Sequence, residues 1–281
     1  MEFVCDSEEI RIQKSEDFNA KQILESGQIF RYTVEKDKFN IYSTNKTCRL
    51  ICEKHRDIIC TNNLKEFVHF FDLNRDYGEI KQALMGYPNM KNIISHGAGI
   101  RILNQDPIEM IISFIISANN NIPRIQKIIE RLCYECGERI DDYYAFPEIN
   151  VLSSKGELFY RNIGAGYRAK YLVKTVDALA NGFSLDLAGM NVVTARKHLM
   201  NLMGVGRKVA DCIMLFAYHR TEVFPTDTWI EKYYDNLFGA SDISVVKKAD
   251  ILSEYYGKLS GYAQQYIFYY MRSGHTVINE R

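Results

Sequence analysis

The sequence predicts an α+β protein, with a small antiparallel-sheet domain over residues 1–100 and an all-helical domain over residues 101–281. Three observations carry this. Segments with period-two alternation or β-branched runs cluster before residue 62. Past residue 100 no convincing strand signal remains, and apolar residues recur at spacings of three and four. Between the two regimes stands a clear helix start, Asp106-Pro107-Ile108-Glu109, with Asp as the cap, Pro in the first turn and Glu placed to reach back.

The elements follow in order. KFNIYST (38–44), TCRLICEKH (47–55) and DIICTN (57–62) are predicted strands, separated by charged breaks. LKEFVHFFDL (64–73) is a predicted helix. The helix from Asp106 is apolar through Ile116 and stops at Asn119-Asn120-Asn121. Further helices are predicted for RIQKIIERLC (124–133), RAKYLVKTVDALAN (168–181), TARKHLMNLM (194–203), RKVADCIMLFAY (207–218), TWIEKYYDNLF (228–238) and YAQQYIFYYMR (262–272). Residues 137–160, with Pro147, are predicted to be a long connection. There is no internal repeat and no low-complexity segment.

The chain is 47% hydrophobic and 25% charged, which excludes a disordered or collagen-like protein. Basic and acidic residues number 35 each, which excludes a strongly basic coat protein or an acidic tail. A nucleic-acid partner stays open, because a binding face is local. Residues 155–210 carry nine basic and three acidic residues, a local surplus compatible either with solvated helix faces or with a phosphate-binding face. The charged start lacks an apolar leader core, and no apolar stretch approaches bilayer length, so the protein is expected not to be secreted. Seven cysteines are then expected to be reduced thiols. Cys133 and Cys136 form a C-x-x-C without a second pair, so no metal site is expected.

The stretch HLMNLMGVGRKVADC carries the chemistry. One helix ends, Gly204-Val205-Gly206 turns, and a second helix begins. Glycines there let the chain turn tightly and bring backbone N–H groups close to a ligand, and a helix N-terminus suits an anion such as a DNA phosphate. Taken alone, the same pattern is equally a structural αα-hairpin. Lys208, however, stands in the first turn of the second helix, where a cation opposes the helix dipole. A neutral amine there is a nucleophile. Asp227 follows nineteen residues later in VFPTDTW, able to cap the next helix or to serve as a carboxylate partner.

The hairpin, Lys208 and the Gly…Pro-x-Asp element resemble the helix-hairpin-helix/GPD superfamily of DNA glycosylases. SGQIFR (26–31), QDPIE (105–109), SANNNIPR (117–124), GYRAKY (166–171) and YAQQYIF (262–268) are similar, in order, to blocks of the 8-oxoguanine DNA glycosylase/lyase family. The resemblance implies a TATA-binding-protein-like sheet domain followed by a helix-hairpin-helix glycosylase domain. It implies removal of 8-oxoguanine from duplex DNA and nicking through a Lys Schiff base, with no cofactor. By the same resemblance Lys208 is the nucleophile and Asp227 the assisting carboxylate. Gly27 offers a carbonyl to N7–H of the lesion, Gln264 reads the Watson–Crick edge, and Phe268 and Cys212 sandwich the ring. Asn119 fills the vacated space, Tyr167 wedges beside the orphan base, and Arg124 and Arg168 donate to it, favouring cytosine. Gly204, Val205 and Gly206 hold the DNA backbone. The implied protein is a monomer without membrane contact, in the cytoplasm or nucleoid of a prokaryote or the nucleus of a eukaryote. Trp229 stands where some relatives carry a phosphate-holding His, and the absence of Cys beyond Cys212 sets the chain apart from the iron–sulfur endonuclease III branch. A glycosylase/lyase for another damaged base and a non-catalytic DNA-binding hairpin are the alternative expectations.

Overall fold

The computed structural model describes residues 1–240 and 242–277. The first sixty residues contain β1 (Phe3–Asp6), β2 (Glu9–Gln13), α1 (Ala20–Glu25), β3 (Tyr32–Glu35), β4 (Lys38–Ser43), β5 (Lys46–Cys52) and β6 (Arg56–Cys60). The six strands form one antiparallel sheet in the order β1-β2-β6-β5-β4-β3. The three strands predicted from sequence are β4, β5 and β6. Two of the other three escaped the pattern for a physical reason, while β2 is an inner strand with alternating burial. β1 and β3 are the two edge strands, exposed along three of four residues each, so neither shows alternation.

The inner face of the sheet supplies Ile10, Ile12, Ile41, Cys48, Leu50 and Ile59 to a core closed by Ile23 and Leu24 of α1. It is also closed by Phe67, Phe70 and Phe71, contributed by and next to α2 (Leu64–Phe70). α3 (Tyr77–Leu84) and α4 (Met90–His96) follow, with buried residues Tyr77, Leu84, Met90, Ile93 and Ile94 in the larger helical core. The two cores therefore do not divide the chain at one point, since Leu103 belongs to the first.

The helical region comprises α5 (Pro107–Ser117), α6 (Ile122–Cys136), α7 (Ile149–Ser153), α8 (Glu157–Asn162) and α9 (Ala169–Ala180). It continues with α10 (Val192–Leu199), α11 (Arg207–Tyr218), α12 (Thr228–Phe238), α13 (Val245–Tyr256) and α14 (Ser260–Arg272). α5 is its axis: every residue from Glu109 to Ile116 is buried. The expected long connection at 137–160 is instead structured. It holds a two-stranded ribbon, β7 (Arg139–Ile140) with β8 (Tyr143–Tyr144), then α7 and the start of α8. Among the described residues no helix is long and apolar enough to cross a membrane. All seven cysteines are free thiols. Burial pushes the Cys133 thiol up to about 12.

The Asp106 cap forms as expected, its Oδ1 accepting from the Glu109 N–H at 2.9 Å. Glu109 does not reach back. Its carboxylate accepts from the Thr44 N–H at 2.8 Å and lies 3.5 Å from Arg31, which in turn donates to the Tyr144 carbonyl. A tertiary demand outcompetes the local one here, and the Glu binds the sheet to the bundle. Burial pushes its carboxyl above the ordinary range, against the pull of Arg31 and the Thr44 N–H.

Candidate active site

Sheet domain and bundle meet around a cleft of about 670 Å3, within the range of roughly 300–1,000 Å3 usual for small-molecule sites. Its walls come from α5, α6, α11, α12, α14 and the loop after α1. Six of the residues singled out above line it together: Gly27, Lys208, Cys212, Asp227, Gln264 and Phe268.

Gly27 is the most constrained of them. Its φ is +78°, and a Cβ there would stand 2.9 Å from Phe268 Cε1. Its neighbours are immobilised. The buried Gln28 amide donates to the Ser26 hydroxyl and the Arg101 carbonyl, each at 2.8 Å. It accepts from the Leu103 N–H at 2.8 Å, and the Gln105 amide donates to the Gln28 carbonyl at 2.8 Å. Two of the separate sequence blocks thus interlock to hold one glycine in place.

Lys208 lies in the first turn of α11, half-buried, with Nζ 5.3 Å from the Phe114 ring centroid. Cys212, one turn on, is buried beside it, and desolvation pushes its thiol up to about 11. Asp227 caps α12: Oδ1 accepts from the Trp229 N–H at 3.0 Å and the Ile230 N–H at 3.1 Å. Both bonds fall on one oxygen, and the carboxylate lines the cleft without ion-pairing to Lys208 among the described residues. Capping and lining the cleft are compatible roles. Gln264 is 5% exposed, and its Oε1 has no hydrogen-bond partner among the described residues. A buried, unsatisfied acceptor in a cleft is a ready contact for a ligand donor. Trp229 also lines the cleft, with Lys232 Nζ 4.7 Å from its ring centroid.

Seven other candidate residues lie outside the cleft lining. Asn119 adopts φ +50° in the turn between α5 and α6. Arg168, 3% exposed, donates to the carbonyls of Ala118, Asn119 and Ala165, and lies 4.4 Å from the Tyr167 ring. Tyr167 is exposed, its hydroxyl donating to the same Ala118 carbonyl at 3.2 Å. Arg124 is exposed in the first turn of α6. In the hairpin, Gly204 has φ +88°, and a Cβ there would stand 2.8 Å from Tyr171 Cβ. Gly206 has an ordinary φ of −85° as the N-cap of α11, so only one of the two glycines is needed for backbone conformation. Val205 is buried beneath the turn. Sequence reasoning missed Arg272, which also lines the cleft. Its spacing of four from Phe268 on one helix was the available signal.

A helical hairpin that delivers an amine to a cleft, with a carboxylate capping the next helix, defines the class of helix-hairpin-helix DNA glycosylases. Sequence comparison narrows this. Residues 9–111 match the family of the 8-oxoguanine DNA glycosylase N-terminal domain. The chain is 33% identical over 267 residues to the N-glycosylase/DNA lyase of Saccharomyces cerevisiae, covering 79% of this chain and 69% of the yeast protein. It is 35% identical over 199 residues to the N-glycosylase/DNA lyase OGG1 of Arabidopsis thaliana, covering 64% of this chain and 54% of the plant protein. The crystal structure of Clostridium acetobutylicum 8-oxoguanine glycosylase/lyase, bound to double-stranded DNA with cytosine opposite the lesion, superposes with a TM-score of 0.91. It shares 38% identity and covers 98% of both chains. The chain belongs to the 8-oxoguanine DNA glycosylase/lyase family.

Proposed function

We propose that this protein removes 8-oxoguanine from duplex DNA and then nicks the abasic strand. The observation that carries the reading is the convergence of Gly27, Lys208, Cys212, Asp227, Gln264 and Phe268, from four separate segments, on one cleft. The target base has to leave the helix, because its glycosidic carbon is shielded in the stack. Lys208 Nζ attacks C1′, the C1′–N9 bond breaks, and its electron pair leaves with the base. The nitrogen lone pair then opens the C1′–O4′ bond, O4′ takes up a proton, and the resulting Schiff base acidifies C2′, so that loss of a C2′ proton expels the 3′ phosphate. Asp227 stabilises positive charge on the sugar and relays protons.

Recognition follows from hydrogen-bond polarity. 8-Oxoguanine carries a proton on N7 where guanine has a lone pair, so the Gly27 carbonyl attracts one and repels the other. The bare Gln264 Oε1 accepts from the Watson–Crick edge, and Phe268 and Cys212 enclose the ring. Outside the cleft, Asn119 and Tyr167 fill the gap left in the duplex, and Arg124 and Arg168 favour cytosine as the orphan base. The Gly204–Gly206 turn binds the DNA backbone. Such an enzyme works as a monomer in the compartment that holds the DNA.

The test is covalent trapping. Protein incubated with an 8-oxoguanine duplex and borohydride is expected to yield a stable adduct, and Lys208→Gln none, with DNA affinity retained. Trapping by the Lys208→Gln variant overturns the assignment of the nucleophile. Trapping only with other lesions overturns the substrate.

A further inference from the structure

Arg272 closes α14 one turn beyond Phe268, and the chemistry above leaves it unused. Its guanidinium carbon lies 5.6 Å from the Phe268 ring centroid. Its Nη1 is buried and meets no acceptor among the described residues. Glu25 lines the same cleft but forms no ion pair with it among the described residues. The nitrogen also stands beside the lesion-reading loop, since a Cβ on Gly27 would lie 3.7 Å from it. A buried cationic donor without an acceptor is costly to maintain, and a cleft that keeps one is built for a ligand acceptor.

We propose that Arg272 contacts the substrate as a specificity residue, donating from Nη1 to the C8 oxygen of the flipped 8-oxoguanine. The inference deepens the function proposed above and rests on it. With the Gly27 carbonyl on N7–H, the neighbouring ring atom C8 and its oxygen face the Gly27 side of the cleft. Gln264 holds the opposite, Watson–Crick end. When C1′–N9 breaks, the electron pair on N9 delocalises through C8 onto that oxygen. A guanidinium there stabilises the leaving base as its charge develops. Lys208 forms the new Nζ–C1′ bond, and the proton it gives up passes to Asp227 or water. Guanine carries only hydrogen at C8 and gains nothing from Arg272. The discrimination is therefore expressed in rate as well as in binding.

Single-turnover excision of 8-oxoguanine opposite cytosine is compared with nicking of a duplex that already contains an abasic site. Arg272→Met is expected to slow excision at least about tenfold while leaving abasic nicking within about twofold of wild type. Arg272→Lys, which keeps the charge, is expected to recover part of the excision rate. The abasic duplex reports on the fold and on Lys208, because it holds no base for Arg272 to touch. If the Met variant does not fold, Arg272→Gln is read in the same way. Equal losses on both duplexes, or wild-type excision by the variant, would overturn the role of Arg272. Absence of wild-type excision would instead overturn the underlying function.

Discussion

Gly27 is the residue with the least freedom in the cleft. Two demands meet there: a positive φ and a ring edge closer than any Cβ tolerates. Gly27→Ala is therefore expected to cost about 1–3 kcal/mol of stability through strain. It is also expected to displace Phe268 or the Gly27 carbonyl, and so to lower 8-oxoguanine excision far more than nicking of an abasic site. Single-turnover rates on the two duplexes, read beside a denaturant melt, check this. A variant with equal rates would show that the approach of Phe268 to Gly27 does not matter for base recognition. The same residue illustrates what one-dimensional reading reaches. SGQIFR was legible as a block, but the reason for its Ser and Gln was not, because their partners, Ile23, Arg101, Leu103 and Gln105, lie up to 77 residues away.

At the scale of elements, the turn between α5 and α6 and the 3-10 turn at Gly166–Arg168 form one unit. Arg168 and Tyr167 both donate to the Ala118 carbonyl, and Arg168 also donates to Asn119. Burial lowers the Arg168 pKa from its ordinary value. Its side chain thus shapes the turn that presents Asn119, whereas Arg124 stands exposed beside it. The two arginines are expected to separate on mutation. Arg124→Ala should flatten the preference for cytosine opposite the lesion and leave the melting temperature unchanged. Arg168→Ala should flatten it too, but with a loss of stability of about 1–3 kcal/mol from the carbonyls left unpaired. Excision rates with each of the four bases opposite the lesion, beside thermal melts, distinguish the roles. Matching melts for both variants would contradict the assignment.

For the whole molecule, net charge says little and distribution says more. Of the nine basic residues between 155 and 210, Arg161, Arg196 and Arg207 are held in ion pairs, with Glu157, Asp211 and Asp250 among the partners, and Lys155 is half-buried with Nζ 5.5 Å from the Phe159 ring centroid. Arg168 is caged by carbonyls, and Lys208 is in the cleft. Lys170, Lys174 and Lys197 remain exposed. Duplex affinity is expected to fall with salt at a log–log slope of roughly −3 from these lysines, rather than the roughly −8 that nine contacts would give. A salt titration of binding decides between them.

The fold also responds to acid as a whole. His219 packs between the bundle and the start of α3: Nε2 lies 3.0 Å from the Tyr262 hydroxyl and 3.5 Å from Asp72, with Arg75 and His69 near. Burial lowers its pKa to about 4, against the opposing pull of Asp72. A depressed folded-state pKa leaves stability intact above the unfolded value near 6.5 and removes it as pH falls from there through 4. The loss amounts to roughly 3 kcal/mol. His219→Asn, which tolerates the left-handed backbone at this position, should show an acid-induced loss smaller by about that amount in denaturant melts at pH 7 and pH 4. An equal loss in both proteins would place the acid sensitivity elsewhere.

What the sequence determined by itself was the division into sheet and helix, the caps, the hairpin and the family blocks, because each is written in local spacing or in contiguous residue types. α1, α3, α4, α7 and α8 and the edge strands β1 and β3 were hidden, because short or edge elements draw their order from distant packing rather than from their own periodicity. By contrast β2, with alternating burial, and the twelve-residue α13, with its Ser244 cap, carried a local signal and were missed all the same. Lys208 and Asp227 could be named from the chain. Only the tertiary structure decided that the α1 loop, α11, α12 and α14 open onto one cleft, that Gln264 keeps a bare acceptor there among the described residues, and that Arg272 brings an unpaired donor to the same cleft. It also decided that Glu109 binds the sheet instead of its own cap, and that four of the nine local cations are held by ion pairs or carbonyls of the protein itself. The physical reason is the same in each case. A hydrogen bond or ion pair is settled by which groups are brought within about 3 Å, and distances between residues far apart in sequence are fixed only when the cores close.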